Sequence, residues 1–322
     1  NTKSTVVTTV PRVSVISKEV TGSISLKGAR IDDVTLSQYR ETLDPDSNLI
    51  DLLLKSNERN PYFIEFGWSS PDGVKVPNGK TLWKASKEIL SPDSNVTLSW
   101  DNGEGVVFYQ DISIDDTFMF TVNQRVKNNS KNLITLYPYG LIRRTGEPET
   151  TRFFVLHEGP LGVFDGTLSE KSYEDLEDAG KKGINIKPLE AGGWIGLTDK
   201  YWLTALLPDQ KEIFNFTYRH LNSNGGQYQT DFLGKAIKIK SNSQGESLSR
   251  AFAGATPGSR ATPKNKELGW YPRADRYFVI GVKYPGADGQ GYQVLNTLSI
   301  SHYPRPAPDT VRLSLMHIEG QY

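Results

Sequence analysis

Few side chains in this sequence are able to carry out chemistry, and their spacing limits what they do. There are four histidines and no cysteine in 322 residues. The absence of thiols excludes disulfides, cysteine nucleophiles, Cys-x-x-Cys redox chemistry and thiolate metal sites. His157-Glu158 is the one histidine–carboxylate neighbour pair in the β-rich body of the chain. A general acid–base pair needs side chains that converge, whereas neighbours on a strand point to opposite faces, so His157 reads as structural or surface. The carboxylate pairs Asp32-Asp33, Asp115-Asp116 and Glu147/Glu149 have the composition of a glycosidase site, but charged residues in turns are ordinarily just solvated. Asp44-Pro45-Asp46-Ser47-Asn48 opens like a calcium loop, yet Leu49 stands where the loop needs glycine and Lys55 where it needs glutamate. A plain turn is the reading.

No Gly-x-Ser-x-Gly, His-Glu-x-x-His or P-loop is present. Gly192-Gly193 lacks the third glycine and the following helix of a dinucleotide fold, and reads as backbone packing. The sequence therefore predicts no catalytic residue, no cofactor and no metal. One run points to binding instead: Tyr173-Glu174-Asp175-Leu176-Glu177-Asp178 is acidic, with Tyr173 and Leu176 three residues apart. The plain reading is a solvated loop or short helix. The sharper one is a docking edge for a basic partner, with Tyr173, Glu174, Asp175 and Leu176 as its contacts.

The elements that must position these groups are strands. Val96, Leu98 and Trp100 alternate, Asp101-Asn102-Gly103 turns the chain, and Val106 to Tyr109 returns; Phe118 to Val122 and Leu133 to Tyr139 extend this into a predicted antiparallel meander. Ile24 and Leu26 alternate before a bend at Gly28, and Pro61 to Trp68 is an aromatic strand. Ala236 to Lys240 alternates again. The one helical candidate is Thr167 to Ala179, with Thr167 and Glu170 as a capping box. The most core-like stretch runs from Gly192 to Asp209. Tyr201, Leu203, Ala205 and Leu207 take one face of a strand and Trp202, Thr204 and Leu206 the other, which places it between packed layers. Its glycines allow close approach of neighbouring strands, and Trp194, Tyr201 and Trp202 are expected to fill the space between the layers. Short strands, polar turns and almost no helix predict a large all-β sandwich.

Basic and acidic side chains balance at 37 each, so no cationic field favours nucleic acid. No run approaches the roughly 18 apolar residues of a membrane span. Asn1 is not a start methionine, and a mature or excised piece is expected.

Several of these segments together resemble one family. Gly192-Gly193-Trp194-Ile195-Gly196 and Tyr201-Trp202-Leu203-Thr204-Ala205-Leu206-Leu207-Pro208 closely resemble the large periplasmic domain of the YidC membrane protein insertase family. Gly22-Ser23-Ile24, Gly28, Arg30-Ile31-Asp32-Asp33, Leu36 and Tyr39 look like the start of that domain in its α-proteobacterial members. Asn60-Pro61-Tyr62, Leu136-Tyr137-Pro138-Tyr139-Gly140, His157-Glu158-Gly159-Pro160 and Ser249 to Ala255 follow in the family's order. The resemblance implies a galactose mutarotase-like β-super-sandwich over residues 21–255, after an extended lead-in at 1–20. It implies a place on the periplasmic face of the bacterial inner membrane, association with SecD, SecF and the Sec translocon, and nascent inner-membrane proteins as clients. Insertion is attributed in the family to transmembrane helices that this chain lacks, so no insertase residue carries over. Gly28, Asp32, Gly192, Gly193, Trp194, Tyr201 and Trp202 are its structural signature here. Residues 256–322, rich in proline and glycine, depart from the family. The runner-up reading is a carbohydrate-binding or sugar-epimerase-like sandwich, because the same fold hosts sugar epimerases and aromatics suit sugar stacking.

Overall fold

The computed structural model describes residues 10–255, except 43, 149–156, 200 and 223–224, together with the backbones of two strands at 276–282 and 313–319. The chain opens with β1 (Arg12–Ile16), β2 (Val20–Ser25), β3 (Arg30–Arg40), β4 (Leu49–Leu53) and β5 (Tyr62–Ser69). Two short strands, β6 (Lys84–Ala85) and β7 (Ile89–Leu90), lead to β8 (Val96–Asp101), β9 (Val106–Ile114), β10 (Met119–Asn128) and β11 (Ile134–Thr145). The hairpin of β12 (Gly159–Phe164) and β13 (Thr167–Glu170) precedes α1 (Tyr173–Ala179), a single 3-10 turn and β14 (Ile184–Ile186). Then come β15 (Trp194–Thr198), β16 (Trp202–Pro208), β17 (Asn215–Leu221), β18 (Gln227–Leu233), β19 (Ile237–Ile239) and β20 (Ser243–Ala255). The last pair, β21 (Arg276–Val282) and β22 (Leu313–Glu319), forms a two-stranded ribbon of its own.

The other strands make two large sheets. The first is eleven-stranded in the order β14-β17-β18-β11-β5-β3-β2-β1-β7, with β19 on β11 and β4 on β3. The second is nine-stranded in the order β13-β12-β15-β16-β20-β10-β9-β8-β6. Their inner faces share one core. Ile24, Ile31, Leu36, Ile64, Phe216 and Phe232 of the first sheet belong to the same cluster as Leu98, Phe108, Ile112, Phe120, Val122 and Leu206 of the second. Each such side chain contributes about 1.5–3 kcal/mol by leaving water. Two glutamines cross between the layers: Gln110 Nε2 donates to the Phe66 carbonyl at 2.9 Å and Gln124 Nε2 to the Gly67 carbonyl at 2.8 Å.

The all-β sandwich expected from the alternation is therefore the fold. Two local expectations differ. The meander stops at β10, which pairs β9 on one side and β20 on the other; β11 crosses to the first sheet and pairs β5 and β18. The predicted helix at 167–179 is half strand. Asp165 and Gly166, both at positive φ, make a tight turn that folds Thr167–Glu170 back on β12, the Asp-Gly hairpin chemistry. The helix begins after Ser172, whose side chain accepts from the Asp175 amide while Asp175 accepts from Ser172, so the capping box sits five residues later than Thr167/Glu170.

A second, smaller cluster occupies the outer side of the second sheet. Leu161 and Val163, Trp194, then Leu203, Ala205 and Leu207, and Phe252 are all buried there. Trp194 is thus not between the two layers as expected. The turn at Gly192 and Gly193 sets the parity of β15 so that Ile195 and Leu197 point inward and Trp194 outward.

Candidate functional site

Register on the first sheet assembles polar side chains that are far apart in sequence. Along the outer face, Arg219, Gln229, Arg143 and Phe63 lie abreast on β17, β18, β11 and β5. One step along, Thr217, Asp231, Leu141 and Glu65 form the next row. Arg30 Nε donates to Glu65 Oε2 at 2.7 Å and its guanidinium covers the Phe63 ring at 4.2 Å. The Tyr139 hydroxyl donates to Glu65 Oε1 at 3.2 Å, its ring lying where a side chain on Gly67 would otherwise stand. Arg143 Nε donates to Gln229 Oε1 at 2.9 Å, joined there by Nη2. Gln229 Nε2 donates onward to Asp231 Oδ2 at 2.7 Å, and Arg219 Nε donates to the same oxygen at 3.0 Å. The strip continues on β1 to β3, where Arg12 pairs with Asp32 and Ser23 donates to Asp33, itself 3.3 Å from Lys55. Glu65, Gln229 and Asp231 are buried although they lie on an outer face. A narrow cleft at the Glu65 end is lined by Gly28, Phe66, Pro77, Asn78, Trp83 and Tyr139.

The inner face of the same strands carries a second polar row at one end of the sandwich. Tyr62, Arg144, Tyr228 and His220 stand abreast on β5, β11, β18 and β17. Arg144 Nη1 donates to Asp199 Oδ1 at 2.5 Å, and its guanidinium lies 5.0 Å from the centre of the Tyr62 ring. The Tyr228 hydroxyl is 2.5 Å from Glu177 and 3.1 Å from Glu147, and its ring stacks on His220 at 4.9 Å. Tyr173 of α1 packs edge-on against Tyr228. Burial pushes the phenols of Tyr62, Tyr173 and Tyr228 above their ordinary range.

This placement settles where the docking residues read from the sequence lie. Glu174 and Asp175 are exposed on α1, with Asp175 occupied by the cap. Tyr173 and Leu176 are buried and face the core, because a helix of seven residues must give its apolar positions to the sheet beneath it to be stable. They are unavailable to a partner. Of the signature residues, Gly28 turns at positive φ against Gly79. Asp32 holds Arg12. Gly193, also at positive φ, would place a side chain 2.6 Å from the Val163 carbonyl, and the Gln210 side chain clamps it from both its amide and its carbonyl. Tyr201 and Trp202 are half-buried at the rim, with Trp202 edge-on to Tyr39 at 5.4 Å. The expected turn at Asp44 is one, closed by Asp44 Oδ1 accepting from the Asp46 amide at 2.9 Å. His157 turns back to the Pro160 carbonyl, 3.0 Å away. Among the described residues no group of three metal-ligating side chains converges. Glu149 lies outside the described residues.

The outer strip was not read from the sequence, since Arg30, Glu65, Arg143, Gln229 and Asp231 come from four separated segments and only β-pairing brings them together. Chemically it is a row of fixed hydrogen-bond donors and acceptors, and its carboxylates Glu65 and Asp231 are each held by a guanidinium.

Known proteins match this chain at two levels. A galactose mutarotase-related enzyme from Lactobacillus acidophilus superposes with a TM-score of 0.50 at 8% identity, covering 76% of this chain and 97% of that one; at that identity the likeness is one of fold. In sequence, the membrane protein insertase YidC of Methylorubrum extorquens is 40% identical over 269 residues and that of Beijerinckia indica 42% identical over 262. Each match covers 80% of this chain and 43% of the relative, so the chain spans less than half the length of these relatives. The model of the YidC periplasmic domain matches residues 12–268. The chain belongs to the YidC periplasmic domain family.

Proposed function

We propose that this chain is the accessory periplasmic domain of a membrane protein insertase, a rigid scaffold that presents partner-binding surfaces and performs no catalysis. The observation that carries the reading is the family match over residues 12–268. The geometry is consistent with it: the polar groups of the first sheet are tied into a fixed strip, in which Glu65 and Asp231 are each paired with an arginine. No helix among the described residues is long and apolar enough to cross a membrane. In this reading insertion belongs to a part of the full-length protein beyond the chain, and the domain stands at the periplasmic face of the inner membrane. SecD, SecF and the Sec translocon are its partners and nascent inner-membrane proteins the clients of the whole protein.

The test is capture of detergent-solubilised SecDF by the immobilised chain. Retention above an unrelated β-sandwich control is expected. A folded chain that retains none overturns the partner assignment. A sugar reading rests on fold alone, and calorimetry with galactose and glucose at millimolar concentration is expected to give no saturable heat; saturable heat or mutarotase turnover would replace the scaffold reading.

A further inference from the structure

The outer strip of the first sheet is unbalanced at one place. Of its three guanidiniums on β3, β11 and β17, Arg30 has Glu65 and Arg219 has Asp231. Over the whole strip five cations, Arg12, Arg30, Lys55, Arg143 and Arg219, face four carboxylates, Asp32, Asp33, Glu65 and Asp231; each carboxylate is paired with one of the other four cations, and the excess falls on Arg143. Among the described residues Arg143 makes no ion pair: its hydrogen bonds go to the neutral amide oxygen of Gln229, and the charges of Glu65 and Asp231 act on it only from beyond pairing distance. The contact is also under-used in shape. A guanidinium edge formed by Nε and Nη2 matches the two oxygens of a carboxylate, and here both nitrogens converge on one oxygen. Burial opposes the charge, pulling the Arg143 pKa below its ordinary value. A partly desolvated arginine with no directly paired acid gains from one that arrives. The group is still reachable, because Arg143 is half-exposed on the outer face between Phe63 and Gln229.

We propose that Arg143 is the receiving group for a carboxylate, presented by an aspartate or glutamate of a partner polypeptide laid across the outer face of the first sheet. Leu141 beside it is buried and Phe63 is covered by the Arg30 guanidinium, so the guanidinium of Arg143 itself is what this position offers a partner. An arriving carboxylate replaces the Gln229 oxygen at the Nε and Nη2 edge, while Gln229 stays tied to Asp231 through its own amide. The source of the carboxylate rests on the scaffold reading above; the site itself does not.

The test uses the chain labelled with 15N-arginine, with the Arg143 Nε–Hε signal assigned from its loss in Arg143→Lys. Sodium glutarate is titrated against sodium chloride at equal ionic strength and against sodium phosphate. The Arg143 signal is expected to move saturably with glutarate, with a midpoint on the order of 1–10 mM, while Arg30 and Arg219 move little. No saturation, or an equal displacement in chloride, overturns the site. Saturation by phosphate at lower concentration than by glutarate overturns the carboxylate assignment. Arg143→Gln is expected to melt within a few degrees of the parent and to retain less SecDF. If the parent binds glutarate but retains no SecDF, the partner is refuted and the site stands. Equal retention of SecDF by Arg143→Gln and the parent refutes the site's part in docking.

Discussion

Arg144 of the first sheet and Asp199, in the turn between β15 and β16 of the second, meet at 2.5 Å with about 14% and 17% of their side chains exposed. The pair joins the two layers at the end where α1 docks. Removing one member leaves the other buried and unpaired, which typically costs about 3–5 kcal/mol. Asp199→Asn and Arg144→Met are each expected to lower the denaturation midpoint strongly. The double variant Arg144→Met/Asp199→Leu is expected to lie closer to the parent than either single change, because two apolar groups restore a neutral contact. Chemical denaturation of the three variants checks this; a double variant that loses the sum of the singles shows the groups to be independent.

The two inter-layer glutamines make a parallel prediction in the middle of the sandwich. Gln110 and Gln124 are buried and their amides satisfy carbonyls of β5. Gln124→Ala leaves the Gly67 carbonyl without this donor and opens a cavity, at a cost of about 2–4 kcal/mol. Amide exchange then discriminates: protection is expected to fall along β5 and β11 together. Unchanged protection on β5 would show that the glutamine is packing only and that its hydrogen bond is immaterial.

Much of the sandwich was legible because the alternation is physical. Val96 and Leu98, Val106 and Phe108, or Phe214, Phe216 and Tyr218, fall at every second position since one face of each strand is in the core. What alternation does not encode is the partner strand. Residues 134–139 read the same whichever sheet receives them, so the crossing of β11 was missed. The outer strip was invisible for a related reason: Arg143 and Gln229 are adjacent only through the register of β11 on β18. Glu174 and Asp175 are exposed, as their charge alone favours, whereas Tyr173 and Leu176 give no sign in isolation of which way the helix rolls.

The two tryptophans of the signature stretch separate by burial. Trp194 is fully buried in the outer cluster of the second sheet, while Trp202 is half-buried at the rim against Tyr39. Trp194→Ala is expected to cost about 3–5 kcal/mol, and Trp202→Ala about half as much, since part of its surface already meets water. Thermal melts of the two variants side by side decide this. Equal losses would mean that the rim contact of Trp202 with Tyr39 carries as much as complete burial.

Alkaline pH is expected to unfold this protein through its tyrosines. Tyr62, Tyr139, Tyr173, Tyr218 and Tyr228 all have pKa values raised above the ordinary 10.0, with burial as the leading cause in each. Below pH 10 these phenols are protonated in the folded and unfolded chains alike, so they make no pH-dependent difference. Above it the unfolded chain gains by ionising while the folded one does not. Stability therefore falls as pH rises from 10 through the folded values, by about 1.4 kcal/mol per pH unit for each such tyrosine. Melting temperatures are expected to be flat around pH 8 to 9 as far as these tyrosines are concerned and to drop steeply beyond 10. Tyr218 isolates the effect, because its hydroxyl has no hydrogen-bond partner among the described residues. Tyr218→Phe is expected to be neutral or slightly stabilising at pH 8, since it removes a buried polar group without a partner, and to flatten the alkaline slope by one proton's worth. A folded-state absorbance titration in which Tyr218→Phe changes nothing, and in which every tyrosine ionises near 10, would show these phenols to be solvated.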